Sequence, residues 1–117
     1  MKFSNINKTF IIAELSANHG HKIEIAIQTI RAAKRAGADA IKLQTYTAET
    51  MTIDCKNKHF KEVLNGSIWE GQSLYELYKE AYTPWEWHEE LFRIAKEEGL
   101  ICFSTPFDKT AVDFLEQ

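Results

Sequence analysis

The chain has 117 residues, 44% of them apolar and 26% charged, the proportions of an ordinary soluble globular protein with room for about one small domain. A formal net charge of −3 excludes a general attraction to nucleic acid or to an anionic membrane. No apolar stretch reaches the roughly 18 residues of a membrane span, and the start, MKFSNINK, leads into no signal-peptide core or cleavage site, so a cytoplasmic protein is expected.

Met1 to Lys8 reads as a polar lead-in and Thr9 to Leu15 as a first strand, followed by a small-residue loop from Ser16 to Lys22. Ile23, Ile27, Ile30 and Ala33 or Lys34 then recur three and four apart, the spacing of an amphipathic helix, which Gly37 ends just after the basic Lys34 and Arg35. Ala40 to Gln44 is a second strand. A mostly polar segment follows from Thr45 to about Gln72, with Gly66 and Gly71 as hinges; a connection this long in a compact domain is usually functional or disordered, and Phe60 and Trp69 argue for partial order. Ser73 and Glu76 form a capping box for a helix over SLYELYKEAY. Thr83 is the expected cap of the next helix, PWEWHEELFRIAKEEG, with Pro84 at its first position and Gly99 at its end. Leu100 to Ser104 is a third strand, Thr105-Pro106-Phe107 a turn, and Asp108 the cap of a last helix, KTAVDFLEQ. The order β-α-β-α-α-β-α implies right-handed crossovers and an α/β fold with a parallel sheet.

Each of the three apolar runs turns polar at its end: at Glu14, at Lys42, and at Ser104 with Thr105. In a parallel sheet those ends share one side, which is the arrangement of the active face of a β/α barrel. A closed barrel takes about 250 residues, so residues 1–117 read as the N-terminal portion of a larger barrel domain. Alone, such a piece leaves its sheet edges and one helix layer incomplete.

Lys42 and Gln44 alternate with Ile41 and Leu43, so they lie on the opposite face of their strand. A lysine within a parallel sheet is costly unless it is paired or reaches water at the strand end. Otherwise it is a cation kept for a phosphate or carboxylate. Glu14 reads either as a salt-bridge partner, with Lys42 itself a candidate, or as a group that orients substrate hydroxyls and handles a proton. The stretch from Ser104 to Asp108 brings hydroxyls and free N–H groups to a helix start, which suits an anion as well as simple capping. Asn18, His19 and Lys22 lie on the first strand-to-helix loop, while His59 and His88 read as exposed. No His, Cys, Asp or Glu set has metal-ligand spacing, so no metal is assigned to these residues, and Cys55 and Cys102 read as reduced thiols. Most of the aromatics from Tyr75 to Trp87 read as packing, but Trp69, within NGSIWEG, is in a position to wall a sugar-sized pocket.

Taken together, IIAELSANHG, AGADAIKLQTY, LYELYKEAYTPWEWHEELF and FSTPFD closely resemble the sialic acid synthase family. The resemblance runs from Thr9 over nearly the whole chain and covers the opening part of a family enzyme. It implies the first part of a (β/α)8 TIM barrel, with a C-terminal antifreeze-like domain, outside these residues, that is swapped across a homodimer. It implies a transferase that joins phosphoenolpyruvate to an open-chain N-acetylated amino sugar and releases a nonulosonic acid and phosphate. It also implies a divalent cation, Mn2+ or Mg2+, whose histidine ligands lie outside these residues. By the same resemblance Lys42 matches the lysine that holds phosphoenolpyruvate, Thr105 a phosphate contact with Ser104 beside it, and Glu14 the acid near the reacting carbon. Asn18, His19 and Gln44 fall in matching motifs, and Trp69 and Glu70 fall where sugar selectivity is expected to differ. The NGSIWEGQSLYELYKEAYTPWEW stretch most resembles the members that act on an altrose-configured diacetamido sugar. Siblings making N-acetylneuraminate or legionaminate are the near alternative, and an anion-binding barrel piece without catalysis is the distant one. A different phosphoenolpyruvate-dependent aldol enzyme lacks support, because no second phosphate site is evident.

Overall fold

The computed structural model describes residues 8–61 and 64–117, so most of the polar lead-in lies outside the described residues. Three strands, β1 (Ile12–Ser16), β2 (Ala40–Thr45) and β3 (Ile101–Pro106), form one parallel sheet in the order β1-β2-β3. Helix α1 (Ile23–Arg35) crosses from β1 to β2. The connection from β2 to β3 holds α2 (Ala48–Met51), α3 (Lys58–Lys61), α4 (Leu74–Ala81), a 3-10 turn (Trp85–Trp87) and α5 (His88–Glu97). After β3 comes α6 (Lys109–Leu115).

The sheet is dry on one face. Leu15, Ile41 and Leu43 pack there against Ala26 and Ile30 of α1 and Leu91, Ile94 and Ala95 of α5. The other face keeps Ile12, Ile101 and Phe103 partly open to solvent. A sheet that is polar and apolar by turns on its open face, with helices on the other, is the first part of a (β/α)8 barrel seen from within.

Several boundaries differ from the sequence reading. β1 starts at Ile12 rather than Thr9, because the entry is closed by a side chain. The Asp39 carboxylate accepts the Ile11 N–H at 2.9 Å, and the Asp39 and Ala40 N–H groups return to the Ile11 carbonyl. β3 continues through Thr105 and Pro106, which pair with Gln44 and Thr45 instead of turning. The segment from Thr45 to Gln72 contains two one-turn helices, α2 and α3, with residues 62 and 63 outside the described set. Gly66 and Gly71 take φ of +79° and +89°, values that an L side chain adopts at a cost.

The expected caps at Ser73 and Asp108 are present. The Ser73 hydroxyl accepts the Glu76 N–H while the Glu76 carboxylate accepts the Ser73 N–H, and Asp108 accepts from Thr110 and Ala111. Thr83 is not a cap. Its hydroxyl is spent on a distant histidine, Pro84 stands outside the helical turns, and a 3-10 turn precedes α5.

Candidate active site

The sheet register fixes which side chains meet. Glu14 pairs with Lys42 and Lys42 with Phe103, while Gln44 pairs with Thr105. Paired residues of neighbouring strands share a face, so Glu14, Lys42, Gln44 and Thr105 line the open face near the C-terminal strand ends. Lys42 Nζ lies 2.7 Å from Glu14 Oε1, and the Ser16 hydroxyl donates to Glu14 Oε2 at 3.3 Å. The Lys42 ammonium holds the Glu14 carboxyl below the usual carboxylate range; burial opposes it, and the Ser16 hydroxyl adds a lesser push in the same direction as Lys42. The lysine is the better covered partner, 27% exposed against 52% for the glutamate. The salt bridge considered from sequence therefore forms, and it sits at the mouth of the open face.

The chain bends sharply just past Glu14. Leu15 is an extra residue with no partner on β2, and Ser16 takes φ of +52°. A bulge of this kind re-aims the strand end and is common beside active sites. The loop it starts carries Asn18. Asn18, Ala17, Gly20 and His21 form one wall of a cleft of about 350 Å³, with Ile68, Trp69, Glu80 and Ala81 as the other. Asn18 and Trp69, far apart in sequence, thus share a cleft. Ile68, 91% exposed, is the most open large apolar side chain among the described residues. Glu70 is turned inward on its own loop, where its carboxylate accepts the Gly66 N–H at 3.1 Å and closes the turn.

Two sequence-predicted anion donors are not available. Ser104 follows Phe103 and precedes Thr105, so it points to the helix-covered face, where its hydroxyl lies 2.6 Å from Thr45 Oγ1. At the start of α6 the Asp108 carboxylate already takes the N–H groups of Thr110 and Ala111. Of the two hydroxyls expected at this strand end, Thr105 alone shares a face with Lys42.

The histidines differ most from expectation. His19 is fully buried, its Nδ1 accepts the His21 N–H at 3.1 Å, and its Nε2 lies 3.0 Å from Thr83 Oγ1. Burial, helped by His21, lowers its pKa. His88 was read as exposed but is 3% exposed, with Nε2 at 2.7 Å from Thr45 Oγ1. A signal for this was present: Leu91, Phe92 and Ala95 follow His88 at three, four and seven residues, so His88 lies on the apolar stripe of α5. His59 is exposed as read.

Among the described residues no group of three or more His, Cys, Asp or Glu side chains is arranged to hold a metal ion. Among them also, no helix is long and apolar enough to cross a membrane. Both cysteines are free thiols, and burial pushes that of Cys102 up to about 12.

Known proteins resemble this chain over most of its length. A model of the NeuB family matches residues 29–117. Pseudaminic acid synthase of Campylobacter jejuni is 49% identical over 120 residues, which cover 100% of this chain and 34% of that protein. N,N'-diacetyllegionaminic acid synthase of Legionella pneumophila is 36% identical over 106 residues, covering 91% of this chain and 29% of that protein. The crystal structure of N-acetylneuraminic acid (sialic acid) synthetase from Leptospira borgpetersenii, in complex with citrate, superposes with a TM-score of 0.74 at 28% identity, over 99% of this chain and 37% of that one. The chain thus spans about a third of the length of the curated relatives it matches.

Proposed function

The chain belongs to the NeuB family, and from that premise we propose that residues 1–117 are the N-terminal part of a nonulosonic acid synthase. The reaction we assign condenses phosphoenolpyruvate with open-chain 2,4-diacetamido-2,4,6-trideoxy-altrose and water, giving pseudaminic acid and phosphate. Carbon three of phosphoenolpyruvate attacks the sugar aldehyde, water adds at carbon two, and phosphate leaves by C–O cleavage. The observation that carries this reading is the Lys42–Glu14 pair at 2.7 Å on the open face, flanked by Gln44 and Thr105.

Lys42 supplies the positive charge that a phosphate or carboxylate needs in a water-poor cleft, and Thr105 and Gln44 supply hydrogen bonds beside it. Glu14, held ionised by Lys42, is the group that orients the sugar hydroxyls and handles a proton at the reacting carbon. The cleft between Asn18 and Trp69 suits the acetamido end of the sugar, with an amide on one wall and Ile68, Trp69 and Ala81 beside the Glu80 carboxylate on the other. Glu70 shapes the loop that carries Trp69. A divalent cation, Mn2+ or Mg2+, would polarise the aldehyde; the residues described do not fit it, and we assign its ligands to another part of the protein. The same reading carries a cytoplasmic enzyme, a homodimer joined through a C-terminal antifreeze-like domain, and a product destined for surface glycans such as those of flagellin. The choice of sugar is supported by the 49% identity to a pseudaminic acid synthase against 36% to a legionaminic acid synthase.

The test is phosphate release by the whole protein from phosphoenolpyruvate, with the altrose-configured sugar and with N-acetylmannosamine. Turnover of the first alone is expected, and a polypeptide of only these 117 residues is expected to turn over neither. Replacing Lys42 by Ala should raise the KM for phosphoenolpyruvate by about 10- to 100-fold, the worth of one charge-assisted hydrogen bond. No consumption of phosphoenolpyruvate with either sugar would overturn the reading.

A further inference from the structure

One short segment, residues 83–88, holds the ends of all three strands. Thr83 Oγ1 accepts a hydrogen bond from His19 Nε2–H at 3.0 Å and donates to the carbonyl of Ser16, the last residue of β1, at 3.4 Å. His19 can donate there because its Nδ1 is already an acceptor, for the His21 N–H. The Trp85 indole N–H donates to the Tyr46 carbonyl at 3.2 Å, just beyond β2. His88 reaches Thr45 at 2.7 Å, and Thr45 reaches Ser104 of β3 at 2.6 Å. Thr83 and Thr45 are fully buried, so water does not substitute for these bonds.

The last of these chains bears on the open face. Thr45 and Ser104 are each one residue from a side chain of the opposite face, Gln44 and Thr105. Neighbouring residues of a strand turn together, so a rotation or slip at the first pair is passed directly to the second. The backbone oxygens of Pro84 and Trp85 and the Glu86 carboxylate give the His88 ring a negative surrounding, although none completes a hydrogen bond to its buried Nδ1. His88 Nε2, Thr45 Oγ1 and Ser104 Oγ form one hydrogen-bonded chain; with the ring proton on Nδ1, Nε2 accepts from the Thr45 hydroxyl, which accepts in turn from Ser104.

We propose that His88 is a positioning residue for the anion-binding face: through Thr45 and Ser104 it locks the ends of β2 and β3, and so keeps Gln44 and Thr105 aimed with Lys42 at phosphoenolpyruvate. The proposal rests on the reading of that face given above. It differs from a purely structural role because it concerns one substrate. The sugar is met by Glu14, Asn18 and Trp69, which the Thr45 chain does not touch.

The experiment is steady-state kinetics of the whole protein with both substrates varied. His88→Phe keeps a ring and removes the acceptor, His88→Gln can return a polar atom near the position of Nε2, and Leu91→Ala weakens the same helix with no polar link. His88→Phe should raise the KM for phosphoenolpyruvate about tenfold and that for the sugar less than about twofold. His88→Gln should recover most of that loss, and Leu91→Ala, with an equal or larger fall in Tm, should leave the KM for phosphoenolpyruvate within about twofold. If His88→Phe does not fold, Thr45→Val deletes only the bridging hydroxyl and gives the same readout. An unchanged KM in the folded variant, or an equal rise in Leu91→Ala or for the sugar, overturns the proposal. Lys42→Ala separates the two ideas. If it leaves the KM for phosphoenolpyruvate intact, the reading of the face fails; if it raises it while His88→Phe does not, only the role of His88 fails.

Discussion

Lowering the pH from about 7.5 to 5.5 should weaken this fold through two residues, His19 and His88. Both are buried, at 0% and 3% exposure, and burial is the largest cause of a lowered pKa at each. His21 adds to the effect at His19, while the Pro84 and Trp85 carbonyls and Glu86 oppose it at His88. In the unfolded chain each imidazole titrates near its ordinary value of 6.5. As pH falls through that value the unfolded chain takes up protons that the folded chain refuses. Stability is therefore complete above about 6.5 and is lost as pH drops toward the lower, folded-state values. The slope is bounded by one proton per site, about 1.4 kcal/mol per pH unit for each histidine and about 2.7 for both. Lowered carboxylates, Glu14, Asp39, Glu49, Glu76 and Asp108, have the same sign, but they act only as pH falls below about 4.5, in a separate window. Urea melts across this range, for the unaltered protein and for His19→Gln and His88→Gln alone and combined, read the slopes. Each substitution should flatten the curve between pH 6.5 and 5.5, and the pair should flatten it most. A double variant as steep as the unaltered protein would show that these imidazoles do not titrate differently on folding.

Two further outcomes follow from local contacts. Ser73→Ala removes one half of the capping box of α4 and should cost about 1 kcal/mol in the same melts, with Ser73→Asn recovering most of it; equal stability of Ser73→Ala would mean that the box is idle. The Cys102 thiol, pushed up to about 12, should resist alkylation in native protein at pH 8 and label only on unfolding, as followed by peptide mass mapping; rapid native labelling at that position would contradict its burial.

The fold was legible where its signals are local. Three apolar runs of strand length, an amphipathic spacing from Ile23 to Lys34 and capping residues at Ser73 and Asp108 are each contained within a few residues. Those signals carried the element order and the parallel sheet. What failed was the side chain whose partner lies far along the chain. Thr83 before Pro84 has the form of a helix cap, but its hydroxyl is claimed by His19 from 64 residues away. His88 and Ser104 meet Thr45 across 43 and 59 residues. For Ser104 the difficulty is one of phase. Alternation along β3 says that Ser104 and Thr105 face opposite ways, but which of them joins Lys42 is set by the register with β2, and no residue of β3 alone encodes that register. Glu14 and Lys42 escaped the problem because each ends an apolar run at the same depth, so the pairing of neighbouring strands brings them together.

The ion pair that carries the functional reading also sets a conflict that a single substitution resolves. Lys42 is held by a carboxylate at 2.7 Å, and an incoming anion must share the ammonium with it. An ammonium has three donors, so sharing is geometrically open, but the two negative charges repel. If Glu14 acts on the sugar, Glu14→Gln relieves that repulsion, and phosphoenolpyruvate should bind as well or better, up to about tenfold, while turnover falls at least ~100-fold with the loss of the proton-handling group. If Glu14 serves only to steady Lys42, the neutral variant frees the lysine to wander, and affinity and turnover fall together. Calorimetric titration of phosphoenolpyruvate into the variant, beside its rate of phosphate release, reads both quantities. The direction in which the affinity moves decides the matter, because a steadying partner and a reacting acid predict opposite signs at the same two atoms.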